Sequence, residues 1–200
     1  MLNKPVDEIL FEDGKVVGLR SGEETVRCGA IVCSPTYAPD NVRKTGQVIR
    51  AICILNHPIE KLPNCLSAQI IIPSYECGRK HDIYVSYLSH THMVCPEGFF
   101  LVLLATTVET DKPHDELKPG IDLLGTVDQV FYSVDDLWAP VDDGRNAKLF
   151  VSTSYDASTH FESTFNDVLS LYERITGESF DLEKVQQAIA KVKESLPKDG

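Results

Sequence analysis

DIYVSYLSHTHMVCPEGFFLVLLATTVE, residues 82–109, holds two long runs of β-branched, aromatic and aliphatic residues on either side of a short break. Such residues suit a pleated, half-buried surface, so 82–94 and 99–109 both read as strands. The break, CPEGF (95–99), carries a proline and a glycine and is short enough for a tight turn. Two strands joined that closely pair antiparallel. The centre of the chain is therefore predicted to be sheet.

The same signals spread outward. Upstream, QVIRAICIL (47–55) and SAQIIIP (67–73) are strand-like; downstream, VDQVFYSVDDLWAP (127–140) reads as a strand and then a turn, and AKLFVSTSY (147–155) as another strand. DELKPGIDLLG (115–125) suits a short amphipathic helix, weakened by Pro119 and Gly120. Residues 6–34 read as a β-meander with turn pairs at Asp13-Gly14 and Ser21-Gly22. Its last run, AIVCS, is apolar without alternation and predicts a fully buried strand. SPTYAPDNVRKTG (34–46) is a connection bounded by proline and glycine. Two helices close the chain. Phe161, Phe165, Val168, Tyr172 and Ile175 make one apolar stripe that ends at Gly177. Leu182, Val185, Ile189, Val192 and Leu196 make the other, behind an Asp181 cap.

Bulk properties narrow the function. A chain of 200 residues buries enough surface for a real core. A net charge of −11 opposes wrapping of nucleic acid and simple docking on anionic lipid, since both need clustered lysine and arginine. Six cysteines occur, none spaced as C-x-x-C, and four of them lie in or beside apolar runs, which reads as reduced thiols behaving as small hydrophobes. The longest apolar runs are too short to span a bilayer.

Three constellations are candidates for chemistry. SYDASTHFES (154–163) puts Ser154, Asp156, His160, Glu162 and Ser163 within one short stretch, the residue types of a hydrolase triad. Thr159-His160-Phe161-Glu162 also matches a helix capping box, in which the threonine oxygen and the glutamate satisfy free amides at the helix start. No G-x-S-x-G elbow surrounds any serine, so the capping reading is preferred. His90, His92 and Cys95 could ligate zinc, because alternation along a strand puts both histidines on one face. The pairs Asp135/Asp136 and Asp142/Asp143 lie in turn-rich segments and read as solvated carboxylates. Glycine-rich phosphate loops are absent from the sequence. From the residues alone this is a mixed α/β chain, with an interaction protein favoured by elimination.

Several stretches together are more specific. LNKPVDEILFEDGKVVGLRS, RKTGQVIRAICILNHPI, AQIIIP, RKHDIYVSYLSHTHMV, LATTVET, APVDDG and SYDASTHFEST resemble, in this order, the C-terminal half of the Rab GDP dissociation inhibitor family, from Leu2 to about Phe180. The resemblance implies the C-terminal part of a flavin-oxidoreductase-like fold with flavin chemistry lost: a mixed, largely antiparallel sheet with C-terminal helices. It implies that 1–44 and 145–200 are the late part of a nucleotide-type unit, with 45–144 as its sheet layer. The N-terminal half and a helical domain with a prenyl pocket would lie upstream, so the chain is expected to be a fragment with open strand edges and bare apolar faces.

The implied function is non-enzymatic and needs no cofactor. Such inhibitors bind GDP-bound, prenylated Rab GTPases, slow GDP release and return the Rab from membranes to cytosol in vesicle traffic. Of the family's partner-binding platform only Met1 matches a position here, with Asn3 and Lys4 beside it; no catalytic, cofactor or metal residue carries over. A flavin-dependent oxidoreductase fragment and a zinc-binding protein are the alternatives. The first is disfavoured because SYDASTHFEST lacks the glycines of a flavin-binding element.

Overall fold

The computed structural model describes residues 3–158 and 161–187. The chain divides into two units. One holds residues 34–141 and 153–164, the other the described parts of 3–33, 142–152 and 165–187.

The first unit is built on five antiparallel strands: β5 (Val42–Leu55), β6 (Ser67–Ile72), β7 (Ile83–Ser89), β8 (Phe100–Thr107) and β9 (Gln129–Pro140), arranged β6-β7-β8-β5-β9. Numbering follows the chain, so β1 to β4 belong to the second unit. The expected pair forms in the register Tyr84↔Ala105 to Ser89↔Phe100. Every second residue of β7, from Ile83 through Val85 and Tyr87 to Ser89, is buried. The period of two puts these side chains on one face. There they join Ile49, Ala51, Cys53 and Leu55 of β5 and Val102 and Leu104 of β8 in the core. Each large side chain buried there contributes about 1.5–3 kcal/mol.

Two helical turns cover that face, α1 (Pro113–Glu116) and α2 (Lys118–Ile121). Leu117 and Leu124 enter the core from this segment. Gly120 lets it come close: a Cβ there would lie 2.6 Å from Leu104 Cδ2. Proline and glycine thus shorten the expected helix into two turns.

The β7–β8 connection is longer than a tight turn. Ser89 Oγ accepts the Thr91 N–H, His90–His92 turn as a 3₁₀ helix, and Met93 closes it with a left-handed backbone (φ 56°). Phe99 N–H then donates to Pro96 O across the expected proline-glycine turn. The serine hydroxyl offers a local bond that ends the strand early.

In the second unit β1 (Glu8–Glu12), β2 (Lys15–Ser21) and β3 (Glu24–Arg27) form the expected meander. Its first turn has Asp13 and Gly14 both at positive φ (50° and 75°), the geometry a two-residue hairpin needs. β4 (Ile31–Cys33) leaves the meander and pairs in parallel with β10 (Leu149–Val151). Against expectation β4 is only half-buried, with Val32 56% exposed, because this sheet has two strands and one face of β4 stays open among the described residues.

α3 (Glu162–Thr176) ends at Gly177, whose N–H returns to Glu173 O. Its apolar stripe, Phe165, Val168, Tyr172 and Ile175, is exposed rather than buried. The helix instead turns Asp167 and Arg174 inward, two residues seven apart and so on one face; Arg174 Nη2 donates to Val151 O at 3.1 Å. The second helix is described over 182–187, and Asp181 caps it by accepting the Lys184 N–H at 3.1 Å. Ile189, Val192 and Leu196 lie outside the described residues.

Candidate functional site

The polar stretch after β10 lies along the end of β9. Ser154 Oγ accepts the Trp138 N–H at 2.9 Å, and Ser154 N–H donates to Trp138 O at 2.8 Å. The serine oxygen is thus a backbone acceptor. Asp156 Oδ1 accepts the N–H and hydroxyl of Ser158, a local turn. Arg50 fastens the stretch to the sheet: Nη2 donates to Asp156 O and Nη1 to Asp135 Oδ2, both at 3.2 Å. Asp135 and Asp136 are therefore engaged rather than merely solvated, the latter by Lys44 at 2.6 Å. Thr159 and His160, half of the expected capping box and the triad's base, lie outside the described residues.

Beside this stretch a cleft of about 500 Å³ opens on the sheet face away from the core. Ile52, Leu103, Phe131 and Tyr155 give it apolar walls, and Arg50 gives it a charged edge. Such a surface can hold a partner group.

The zinc reading fails on geometry. His90 and His92 sit on the 3₁₀ turn rather than a strand, and Cys95 Sγ donates to Phe99 O. Among the described residues no three His, Cys, Asp or Glu side chains converge as a metal site. Of the expected partner-binding residues, Met1 lies outside the described residues. Asn3 is exposed with a left-handed backbone (φ 55°), and Lys4 is paired with Glu24.

One cluster was not legible as a site. Arg79 Nη2 meets Glu116 Oε2 at 2.7 Å and Thr107 O at 2.8 Å, and lies 3.5 Å from Glu109. Glu116 also accepts the N–H groups of Glu109 and Thr110 and the Thr110 hydroxyl. Burial disfavours the charged Glu116 carboxylate, but Thr110, Arg79 and the two amides outweigh it and hold its pKa below the usual range. Glu109, likewise opposed by burial, is held low by His81, by the Lys80 and His81 amides and by Arg79. The cluster ties the segment before β7, the end of β8 and α1 together, so its role is positioning.

His57 is a second unforeseen tie. Its Nδ1 lies 2.9 Å from Pro58 O and its Nε2 2.8 Å from Thr126 O. Two acceptors require both ring nitrogens to carry protons, so these bonds raise the His57 pKa; burial opposes them weakly and Asp128 assists. A raised pKa in the folded state adds stability that is complete below the unfolded value of about 6.5 and fades as pH rises through the folded value. Nuclear magnetic resonance titration is expected to place His57 above that reference. The chain should lose stability on going from pH 6 to pH 8 by more than His57→Gln does; equal pH dependence of the two would refute this.

No described helix is long and apolar enough to cross a membrane. The model of the family "GDP dissociation inhibitor" matches residues 1–187. Rab GDP dissociation inhibitor beta from Rattus norvegicus is 46% identical over 187 residues, covering 94% of this chain and 42% of the relative. The crystal structure of a Rab GDI from Plasmodium falciparum superposes with a TM-score of 0.86 at 37% identity, over 90% of this chain and 42% of that one. A glycine oxidase from Bacillus cereus shares the fold alone, with a TM-score of 0.50 at 14% identity over 90% of this chain and 51% of its own. The chain thus spans less than half the length of the curated relatives it matches.

Proposed function

We propose a function from one premise: this chain belongs to the GDP dissociation inhibitor family. Its role is to take part in binding GDP-bound, prenylated Rab GTPases, slowing GDP release and retrieving the Rab from membranes to cytosol for vesicle traffic. The observation that carries this is the family match, which runs unbroken through both units. The mechanism is physical. Each CH₂ of a prenyl chain gains about 0.8 kcal/mol on leaving water, so a protein that lifts it from a bilayer must offer an equally dry site. A second surface that fits the GDP arrangement of the switch regions better than the open one slows nucleotide escape.

In this proposal 1–44 and 145–200 serve as the late part of a nucleotide-type unit and 45–144 as its sheet layer. Met1, Asn3 and Lys4 approach the partner. Lys4 would exchange Glu24 for an acceptor on the Rab, at little net cost, since an exposed pair is worth at most about 1 kcal/mol. The rest is framework. Support for a non-catalytic role comes from the polar stretch, where Ser154 bonds the Trp138 backbone and Asp156 bonds Ser158.

A chimera provides the test. The rat relative, with its matching residues replaced by this chain, is expected to slow release of a fluorescent GDP analogue from prenylated Rab as the unmodified relative does. A folded chimera that leaves release at its unassisted rate would overturn the assignment.

A further inference from the structure

The β7–β8 hairpin ends in an apolar tip. Between Asp82 and Glu109 the only Asp, Glu, Lys or Arg is Glu97, in a chain that is 24% charged. The hairpin is thus a neutral stretch of an acidic protein. Along its tip, 90–99, every residue except Cys95 is exposed. Met93 is 95% exposed, Val94 48% and Phe99 41%. Leu66, whose C=O accepts the Ser89 N–H at the base of the tip, is 53% exposed.

Two features set this tip apart from a scattered exposed side chain. The first is the backbone of Met93. Among the described residues the non-glycine positions with positive φ are Asn3, Asp13, Met93 and Lys148, and Met93 alone is apolar. Left-handed backbone suits glycine and short polar side chains and disfavours a long apolar one. The turn nonetheless holds a methionine outward. The second is that the main chain is turned in on itself. Met93 N–H donates to His90 O at 2.8 Å and Phe99 N–H to Pro96 O at 3.1 Å. Thr91 N–H donates to Ser89 Oγ, and Phe99 O accepts the Cys95 thiol. A loop that meets its own hydrogen bonds can enter a medium poor in water without stranding them.

We propose that the 90–99 tip is a shallow membrane contact that lays Met93, Val94 and Phe99 at the acyl boundary of a bilayer without net charge. The contact lies on the surface, about 5–10 Å deep, and nothing spans. Charge and main chain select this occupant. A protein partner is chosen by complementary ions and hydrogen bonds, and here the tip offers Glu97 and amides already turned inward. A zwitterionic bilayer asks only for apolar side chains and satisfied amides. The net charge of −11 repels an anionic leaflet, so the headgroups must be neutral overall. His90 and His92 flank the apex, and an imidazole N–H can donate to a phosphodiester oxygen. With so few apolar side chains the contact is weak and reversible.

Flotation of the full chain with phosphatidylcholine vesicles tests this. The assay contains no Rab, so its outcome is independent of GDP release. The unaltered chain is expected to float with the vesicles, less so as phosphatidylserine is added, with salt restoring the difference. Met93→Asn removes the apolar group and puts a residue that tolerates left-handed backbone in its place, so the fold is kept. It should lower partitioning about tenfold, the share of one large side chain partly withdrawn from water. Tyr75→Ser is the control for general stickiness: Tyr75 is 79% exposed but lies at the opposite end of β7, and partitioning should not change. Depth is read by fluorescence. Met93→Trp emission should shift to the blue on vesicles and be quenched by phosphatidylcholine brominated along its acyl chains. In the unaltered chain the one tryptophan, Trp138, pairs with Lys44 at the far end of the sheet and should stay unquenched. No flotation of the unaltered chain, flotation indifferent to Met93→Asn, equal loss in Tyr75→Ser, stronger binding to phosphatidylserine, or Met93→Trp emission untouched by bromine would each overturn the proposal.

Discussion

Glu116→Ala is expected to lower the unfolding free energy of the chain by about 3–5 kcal/mol in urea titrations. The Glu116 side chain is 3% exposed and that of Arg79 10% exposed. Removing the carboxylate leaves the guanidinium in a poorly hydrated place with Glu109 at 3.5 Å as its remaining counter-charge. It also strands the amides of Glu109 and Thr110, which both donate to Glu116. The double change Arg79→Met, Glu116→Leu should recover much of the loss, because neither charge then has to be desolvated. Acid should act on the same cluster. The folded pKa values of Glu109 and Glu116 are lowered, so their contribution is complete above the unfolded value of about 4.3 and is lost as pH falls through the folded values. A loss below about 1 kcal/mol for Glu116→Ala, the size of an exposed pair, would show that the cluster is not a tie between these segments.

Gly144→Ala is the second large effect. Gly144 has φ +75°, and a Cβ there would lie 2.1 Å from Leu149 O and 2.9 Å from Leu149 C. Both are backbone atoms of β10, so no rotamer change can relieve the contact. Left-handed backbone costs a residue with a Cβ about 1–2 kcal/mol. Overpacking adds about 1–3 kcal/mol. A domain this size loses about 2–4 °C in Tm for each kcal/mol. Gly22→Ala is the control: φ is +60° there, but nothing lies within 4 Å of the added carbon. The Gly144 variant should melt well below the Gly22 variant, and equal melting would mean that the β4–β10 pair yields without cost.

The sequence showed most plainly what alternation writes locally. Ile83, Val85 and Tyr87 announce a half-buried strand because one face must meet a core, and the structure buries those three. The sequence predicts β5 only from Gln47 onward. Its first residues, Val42 to Gly46, carry no such pattern and are strand because Trp138, Ala139 and Pro140 pair with them. AIVCS predicts a fully buried strand and β4 is half-buried, since an apolar run does not say how many strands will cover it. In the triad-like stretch Asp156 and Ser158 bond two residues apart, a turn that the capping-box reading of 159–162 does not contain. The Arg79 cluster is not legible in the sequence, although Arg79, Glu109 and Thr110 lie within RKHD and TVET, two stretches that carry the family likeness. Arg79, Glu109 and Glu116 are brought together by the hairpin and α1, and no spacing in the chain advertises that meeting.

The order β6-β7-β8-β5-β9 sets a timetable for synthesis. Both neighbours of β5 are made after it: translation must pass from Leu55 to Phe100 before the first exists, and to Gln129 before the second. At about 5–20 residues per second, this fourteen-residue ribbon spends on the order of seconds outside the ribosome with neither flank paired. The nascent polypeptide is therefore most in need of a chaperone early, well before its last strand has been translated.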